Sequence, residues 1–345
     1  MIEGTMMNQK RITIKDTLLD ESGHLKHPGY ATSLVLEYHR NQVKAHKSRI
    51  KEWDYYFFGN DQIGFGITFA DISYLGLIQI VILDFANKKR FDFKRIIPFT
   101  FGKLNLPTDS QKGDIHYHDK KIGFDVKRIN NERHIKIKIE NFNKGRDFAF
   151  DANVRLQNED SLVIITPYAE DKKAFYYNQK INNLVSFGRA SFGNRTYSLD
   201  DMQGVLDWGR GVWTRDNTWY WSSLSTTLSD GSLFGFNLGY GFGDTSAASE
   251  NMAFYKGKSY KLNDVDFGLP KDNFTDPWHF TSKDGAINLI FTPIYDNFNK
   301  TNVIFIRQNS HQVFGYFSGT MKLDSDTTVT LERGFGFAEK VRNVW

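Results

Sequence analysis

Apolar and polar side chains alternate with a period of two along much of this 345-residue chain. Ile135, Ile137 and Ile139 alternate with Lys136, Lys138 and Glu140, which predicts a strand with one wet face. Phe234, Phe236, Leu238, Tyr240 and Phe242 alternate with Gly235, Asn237, Gly239, Gly241 and Gly243, so one face of that strand is bulky and the other almost bare backbone. Shorter runs of this kind predict strands at Ile12–Ile14, Ser33–Tyr38, Phe65–Phe69, Leu162–Thr166, Val303–Arg307, Val313–Phe317 and Thr327–Leu331. Turn signals separate them at Gly59-Asn60-Asp61, Asn130-Asn131, Ser229-Asp230-Gly231 and Lys283-Asp284-Gly285. Helical periodicity is confined to short segments around Gln42–Lys51 and Thr245–Ala253. Many short strands at fairly regular spacing predict an all-β protein built from barrels or strongly curved sandwiches. The polar stretch Ala169–Asn183 predicts a boundary that divides the chain into barrels over 1–175 and 176–345.

Composition supports the β reading: Phe 30, Tyr 16, Trp 7 and Gly 28 against Pro 7 suit pleated surfaces joined by tight turns. A hydrophobic content of 40% excludes disorder. No apolar run is long enough for a membrane-spanning helix, and Met1–Asp20 lacks the apolar core of a signal peptide, so the expected address is the cytoplasm. The absence of Cys excludes disulfides and thiolate chemistry. A net charge of +4, from 44 basic and 40 acidic side chains, is too small to indicate nucleic-acid binding. Basic clusters at Lys44–Lys51 and Lys88–Arg95 suit a lipid headgroup and leave room for peripheral membrane contact; solvated strand edges explain them equally.

Cofactor motifs fail on inspection. Gly257-Lys258-Ser259 ends like a phosphate loop, but Met252 stands where the upstream Gly belongs. Gly239-x-Gly241-x-Gly243 lacks the third Gly of a dinucleotide fingerprint. His116-x-His118, with Asp114 and Asp119 nearby, hints at a metal, though a polar surface hairpin accounts for it. Neither a cofactor nor a metal is therefore expected.

Candidate chemistry concentrates in Asp207–Trp221, DWGRGVWTRDNTWYW, where four Trp fall within 14 residues. In an extended chain Asp207, Trp213, Trp219 and Trp221 share one parity and Trp208, Arg210 and Tyr220 the other, with a hairpin turn expected at Thr214–Thr218. Trp suits places where an apolar wall meets polar groups, so the stretch fits a ligand pocket with Asp207 and Arg210 as polar handles. It also fits a barrel plug with a buried ion pair. In Lys51–Tyr56, Glu52 and Asp54 share a face around Trp53; paired carboxyls in a dry setting would keep one protonated, and two exposed charges beside a core Trp is the plainer account. Glu250-Asn251 follows the glycine-rich strand and could bond a ligand lying close to bare backbone.

KEWDYY at Lys51–Tyr56, DWGRGVW at Asp207–Trp213, WYW at Trp219–Trp221, SEN at Ser249–Asn251 and GFAEKVRNVW at Gly336–Trp345 resemble domain-of-unknown-function family 2804 over nearly the whole chain. That family is in turn similar to the paired lipocalin-like β-barrels of carotenoid 1,2-hydratases, tocopherol cyclases and AttH-type proteins. The resemblance implies two packed antiparallel barrels that bind a small apolar ligand, and for an enzyme, protonation of a carbon–carbon double bond by a carboxylic acid.

The combined expectation is a pocket lined by Trp208, Trp213, Trp219, Trp221, Tyr220, Trp53 and Asn251. Asp207 is the expected general acid, Arg210 its electrostatic partner, Glu250 a second acid or water-positioning base, and Asp54 a reserve. Carbohydrate binding or cleavage by an aromatic groove with two carboxylates is the first alternative, and a non-catalytic carrier the second.

Overall fold

The computed structural model describes residues 9–157, 159–200, 202–303 and 306–344. Met1–Asn8, residues 304 and 305 of the expected Val303–Arg307 strand, and Trp345 of the C-terminal motif lie outside the described residues. Two curled antiparallel sheets form two lipocalin-like barrels. In the first, the strands run in the order Lys89–Pro98, Leu75–Asp84, Ile63–Asp71, Ile50–Gly59, Met202–Val212, Asp171–Phe192, Arg146–Leu156, Glu132–Asn143, Ile122–Ile129 and Ile115–His118. The curl is drawn together by aromatic contacts between distant strands, such as Phe93 with Phe142 and Phe91 with Phe192. The second sheet runs Lys258–Lys261, Met252–Tyr255, Leu233–Tyr240, Asp216–Thr227, Thr328–Val344, Ile306–Lys322, Ile287–Val303, Trp278–Ser282 and Val265–Asp266.

Among the described residues, alternation gives three large apolar cores and a small fourth cluster of Leu162, Met252 and Phe254. One face of each sheet fills its own barrel: Tyr56, Phe58, Phe65, Ile135, Ile137 and Ile139 in the first, Phe234, Phe236, Trp278 and Phe317 in the second. The outward faces meet through Phe57, Leu83, Phe85, Val205, Trp221, Phe314 and Phe337. Each such buried side chain contributes roughly 1.5–3 kcal/mol, so this seam holds the barrels together.

The polar stretch Ala169–Asn183 is mostly strand. Asp171–Phe192 runs through residues 175 and 176, and the chain changes sheet between Val212 and Asp216. A register shift between Ile181 and Leu184 leaves Asn183 at φ +57° and turns two amides toward the second sheet. Asn182 Nδ2 donates to Ser223 Oγ at 2.9 Å and to the Phe236 carbonyl at 2.9 Å, while Asn183 N–H donates to Ser225 Oγ at 2.9 Å. The bare face of the glycine-rich strand makes room for this approach, since a Cβ at Gly235 would lie 2.4 Å from Asn183 Oδ1. The two expected helices reduce to short 3-10 turns at Arg40–Gln42, Lys47–Arg49 and Thr245–Ala247; alternation resumes at once in Ile50–Gly59 and Met252–Tyr255, where both segments join sheets.

Candidate functional site

The site grows from the outward face of Met202–Val212. Its register sets Asp207 between Lys180 on one neighbouring strand and Tyr55 on the other, Gly209 between Asn178 and Trp53, and Gly211 between Tyr176 and Lys51. The two glycines are needed because indoles lie over them: a Cβ at Gly209 would stand 1.9 Å from Trp53 Cζ2, and one at Gly211 3.1 Å from Trp213 Nε1. The rings then pack among themselves, Trp53 edge-on to Trp213 at 5.0 Å, Trp213 to Phe242 at 4.8 Å, and Tyr176 to Phe242 at 4.3 Å.

The facing wall comes from the second sheet, where Trp221 pairs with Glu339 and Glu339 with Gln312, while Trp219 pairs with Val341. Between the walls lies a cavity of about 530 Å³, bordered by aromatic rings at one end and by Leu77, Val81, Asn297, Asn299 and Gln308 farther along. That volume suits a small organic ligand.

Four ionisable side chains meet at the aromatic end. Lys180 Nζ sits 3.1 Å from Asp207 Oδ1, 3.8 Å from Glu250 Oε1 and 3.9 Å from the centre of the Trp221 ring. Asn178 Nδ2 donates to the same Asp207 oxygen at 2.5 Å. Tyr176 Oη donates to Glu250 Oε1 at 3.1 Å, and Trp219 Nε1 to Glu339 Oε1 at 3.0 Å. Burial pushes the Glu339 carboxyl up to about 7, against the lowering effect of the Trp219 bond and Lys180. Burial likewise raises Glu250, with Asp207 adding in the same direction, and Tyr176 goes well above the phenol range through burial and the nearby Glu250. Three carboxyl groups thus share one ammonium in a largely buried site, an arrangement that keeps a proton on an acid near neutrality.

Of the expected site residues, Asp207, Glu250, Trp53, Trp213, Trp219 and Trp221 border this cavity. Tyr220 reaches its edge, but the ring stacks on Tyr240 at 4.5 Å against the second core. Trp208, Arg210 and Asp54 lie elsewhere, because alternation turns them into the first barrel. There Arg210 meets Asp54 Oδ1 at 3.2 Å, covers the Trp208 ring, and donates to the carbonyls of Trp53, Gly209 and Pro107. The partner of Asp207 is accordingly Lys180 rather than Arg210. Asn251 is a clamp, accepting from Gly239 N–H and donating to the Asn263 carbonyl. The expected Thr214–Thr218 hairpin is instead the crossing between sheets: Trp213 and Trp219 come within 5.9 Å from opposite walls.

Lys180, Tyr176 and Glu339 escaped sequence reasoning. The even-numbered set Tyr176, Asn178 and Lys180 carried the alternation signal, hidden in a stretch whose polarity read as a linker. Glu339 stood inside the C-terminal motif, followed by Lys340 and Arg342, which gave it no distinction. His116 and His118 share Asp125 on an exposed hairpin, and among the described residues no group of three or more His, Asp or Glu could hold a metal. Among the described residues no helix is long and apolar enough to cross a membrane, which says nothing of strands.

A pair of lipocalin-like barrels with an ionisable, aromatic cleft at their seam is the class that fold and site define. The sequence profile of the domain of unknown function (DUF2804) matches residues 9–345, and the chain belongs to that family. No curated protein matches it. Among solved structures it is similar to an AttH-type protein of Nitrosomonas europaea, at 17% identity and a TM-score of 0.52, covering 88% of this chain and 96% of that one. Kievitone hydratase of Nectria haematococca aligns at 9% identity and a TM-score of 0.47, covering 96% of this chain and 98% of that one.

Proposed function

We propose that the protein binds a small, largely apolar molecule in the cleft between its barrels and carries out cofactor-free acid–base chemistry on a carbon–carbon double bond. The observation that carries this reading is the burial-raised Glu339 carboxyl beside the Lys180–Asp207–Glu250 cluster, under a wall of indoles. Glu339 donates its proton to an alkene carbon, and the cationic carbon so formed faces the rings of Trp219, Trp221 and Tyr176, which favour positive charge. Asp207 or Glu250 takes one proton from an attacking water or from the neighbouring carbon, giving hydration in the first case and isomerisation in the second, and passage of that proton back to Glu339 restores the acid. Lys180 balances the carboxylates through the cycle. The acid role expected of Asp207 passes to Glu339 because Asn178 and Lys180 hold Asp207 as a hydrogen-bond acceptor.

The test is incubation of the full chain with a panel of unsaturated isoprenoids in D2O, with mass spectrometry of the products. The expected result is deuterium gained at an alkene carbon, slowed about 100-fold or more by Glu339→Gln with binding retained. Equal turnover by the two proteins would remove Glu339 from the acid role. A carbohydrate reading draws support from the uncharged amides farther along the cleft, Asn297, Asn299 and Gln308.

A further inference from the structure

Beyond the indoles, the cleft walls change character in an ordered way. On the second sheet, cross-strand register lines up Asn297 with Gln312 and Glu339, then Asn299 with Ser310 and Val341, then Thr301 with Gln308 and Asn343. On the first sheet, Asp207, Tyr55, Thr68, Gln79 and Lys94 form one continuous row from strand to strand. Gln312 Nε2 donates to Tyr55 Oη at 3.2 Å, so the two polar surfaces meet beside the acid cluster. All of these residues border the same cavity.

The chemistry of these surfaces favours a tail. Amides and hydroxyls dominate; Arg90 and Lys94 share the single Asp92 carboxylate at 2.8 and 3.4 Å, Arg90 also donates to Asn297 Oδ1 at 2.9 Å, and Asn299 Nδ2 donates to Gln308 Oε1 at 3.2 Å. An anionic tail would compete with Asp92 for those cations, whereas a neutral polyol can both donate to and accept from the amides. Hydroxyl-bearing rings would find these groups in rows spaced by the sheet, while the unsaturated part stays under Trp53, Tyr176, Trp213 and Trp219.

We propose that the cleft takes an O-glycoside of an unsaturated apolar alcohol, its apolar head beside Glu339 and its sugar along the Asn297–Asn299–Gln308 surface. This rests on the reading of the aromatic end as the acid–base site, and supplies the part of the substrate that reading leaves open.

Four probes separate the two ideas by calorimetric titration of the full chain: geraniol, geranyl β-glucoside, geranyl phosphate and methyl β-glucoside. The glucoside is expected to bind about ten-fold tighter than geraniol or the phosphate, and about 100-fold tighter than methyl glucoside. The half-buried pair Asn299→Leu with Gln308→Leu is expected to abolish the advantage over geraniol while leaving geraniol affinity unchanged. Geraniol binding as tightly as its glucoside, the phosphate binding best, or an advantage that survives the double variant would overturn the sugar assignment and leave the apolar site standing. Methyl glucoside binding as tightly as the geranyl glucoside, or no binding by any of the four, would overturn both.

Discussion

The two faces of the strand Met202–Val212 carry similar groups to different ends. Each holds an acid against a cation beside an indole: Asp54 with Arg210 and Trp208 inside the first barrel, Asp207 with Lys180 and Trp221 in the cleft. The inner pair is sealed; Arg210, Asp54 and Trp208 are at most 1% exposed, and three carbonyls accept from the two Nη groups of the guanidinium. The outer pair borders about 530 Å³ of space, with further carboxyls close by whose burial raises them. Charge and aromaticity alone therefore do not mark the site. What separates the faces is room, and the room lies between the barrels, while the barrel interiors are filled by their own aliphatic and aromatic side chains.

Variants can break this contrast. Asp54→Ala leaves Arg210 uncompensated in a sealed interior, so a loss of about 3–5 kcal/mol is expected by denaturant unfolding; Asp207→Asn in the cleft is expected to cost less, because Glu250 still lies 3.8 Å from Lys180. Equal losses would erase the distinction.

Glu339 supplies the next effect. Its folded value of about 7 exceeds the ordinary 4.5, so the folded chain binds more protons than the unfolded one between those values. Stability should fall as pH rises through that window, by about 3 kcal/mol for this group, and Glu339→Gln should flatten the decline. Lys51 and Lys261, lowered by burial to about 7, act above that window and in the opposite sense. A profile that rises between pH 4.5 and 7 and is unchanged by Glu339→Gln would deny the buried acid.

Gly209→Ala pushes a methyl into the Trp53 ring, and a loss of about 1–3 kcal/mol is expected in thermal unfolding, together with weakened ligand binding. Smallest is Asn299→Leu, half-buried at the cavity wall, expected to change stability by no more than about 0.5 kcal/mol.

The strands were legible in the sequence wherever one face was apolar and the other wet, as at Ile135–Ile139, and so were the turns at Asn130-Asn131 and Asp230-Gly231. Parity also sorted the indoles: Trp213, Trp219 and Trp221 face the cleft with Asp207, and Trp208 and Arg210 face away. Taken literally, that parity would have removed Arg210 and Trp208 from the pocket. Composition misled at Tyr176–Lys180, because a strand whose outward side chains supply the polar groups of a cavity carries the same residues as a linker. Glu339 was illegible for a different reason. Its burial depends on Trp219 and Trp221 arriving from a neighbouring strand more than a hundred residues away in the chain, which no local pattern encodes.

The most direct test of a protonatable acid walled into the seam is a carbon-13 titration of the side-chain carboxyls, with the Glu339 signal identified by its loss in Glu339→Gln. A midpoint near 7 is predicted. A midpoint at the ordinary 4.5 would mean that water reaches the group freely and that the cleft holds no acid poised for neutral pH.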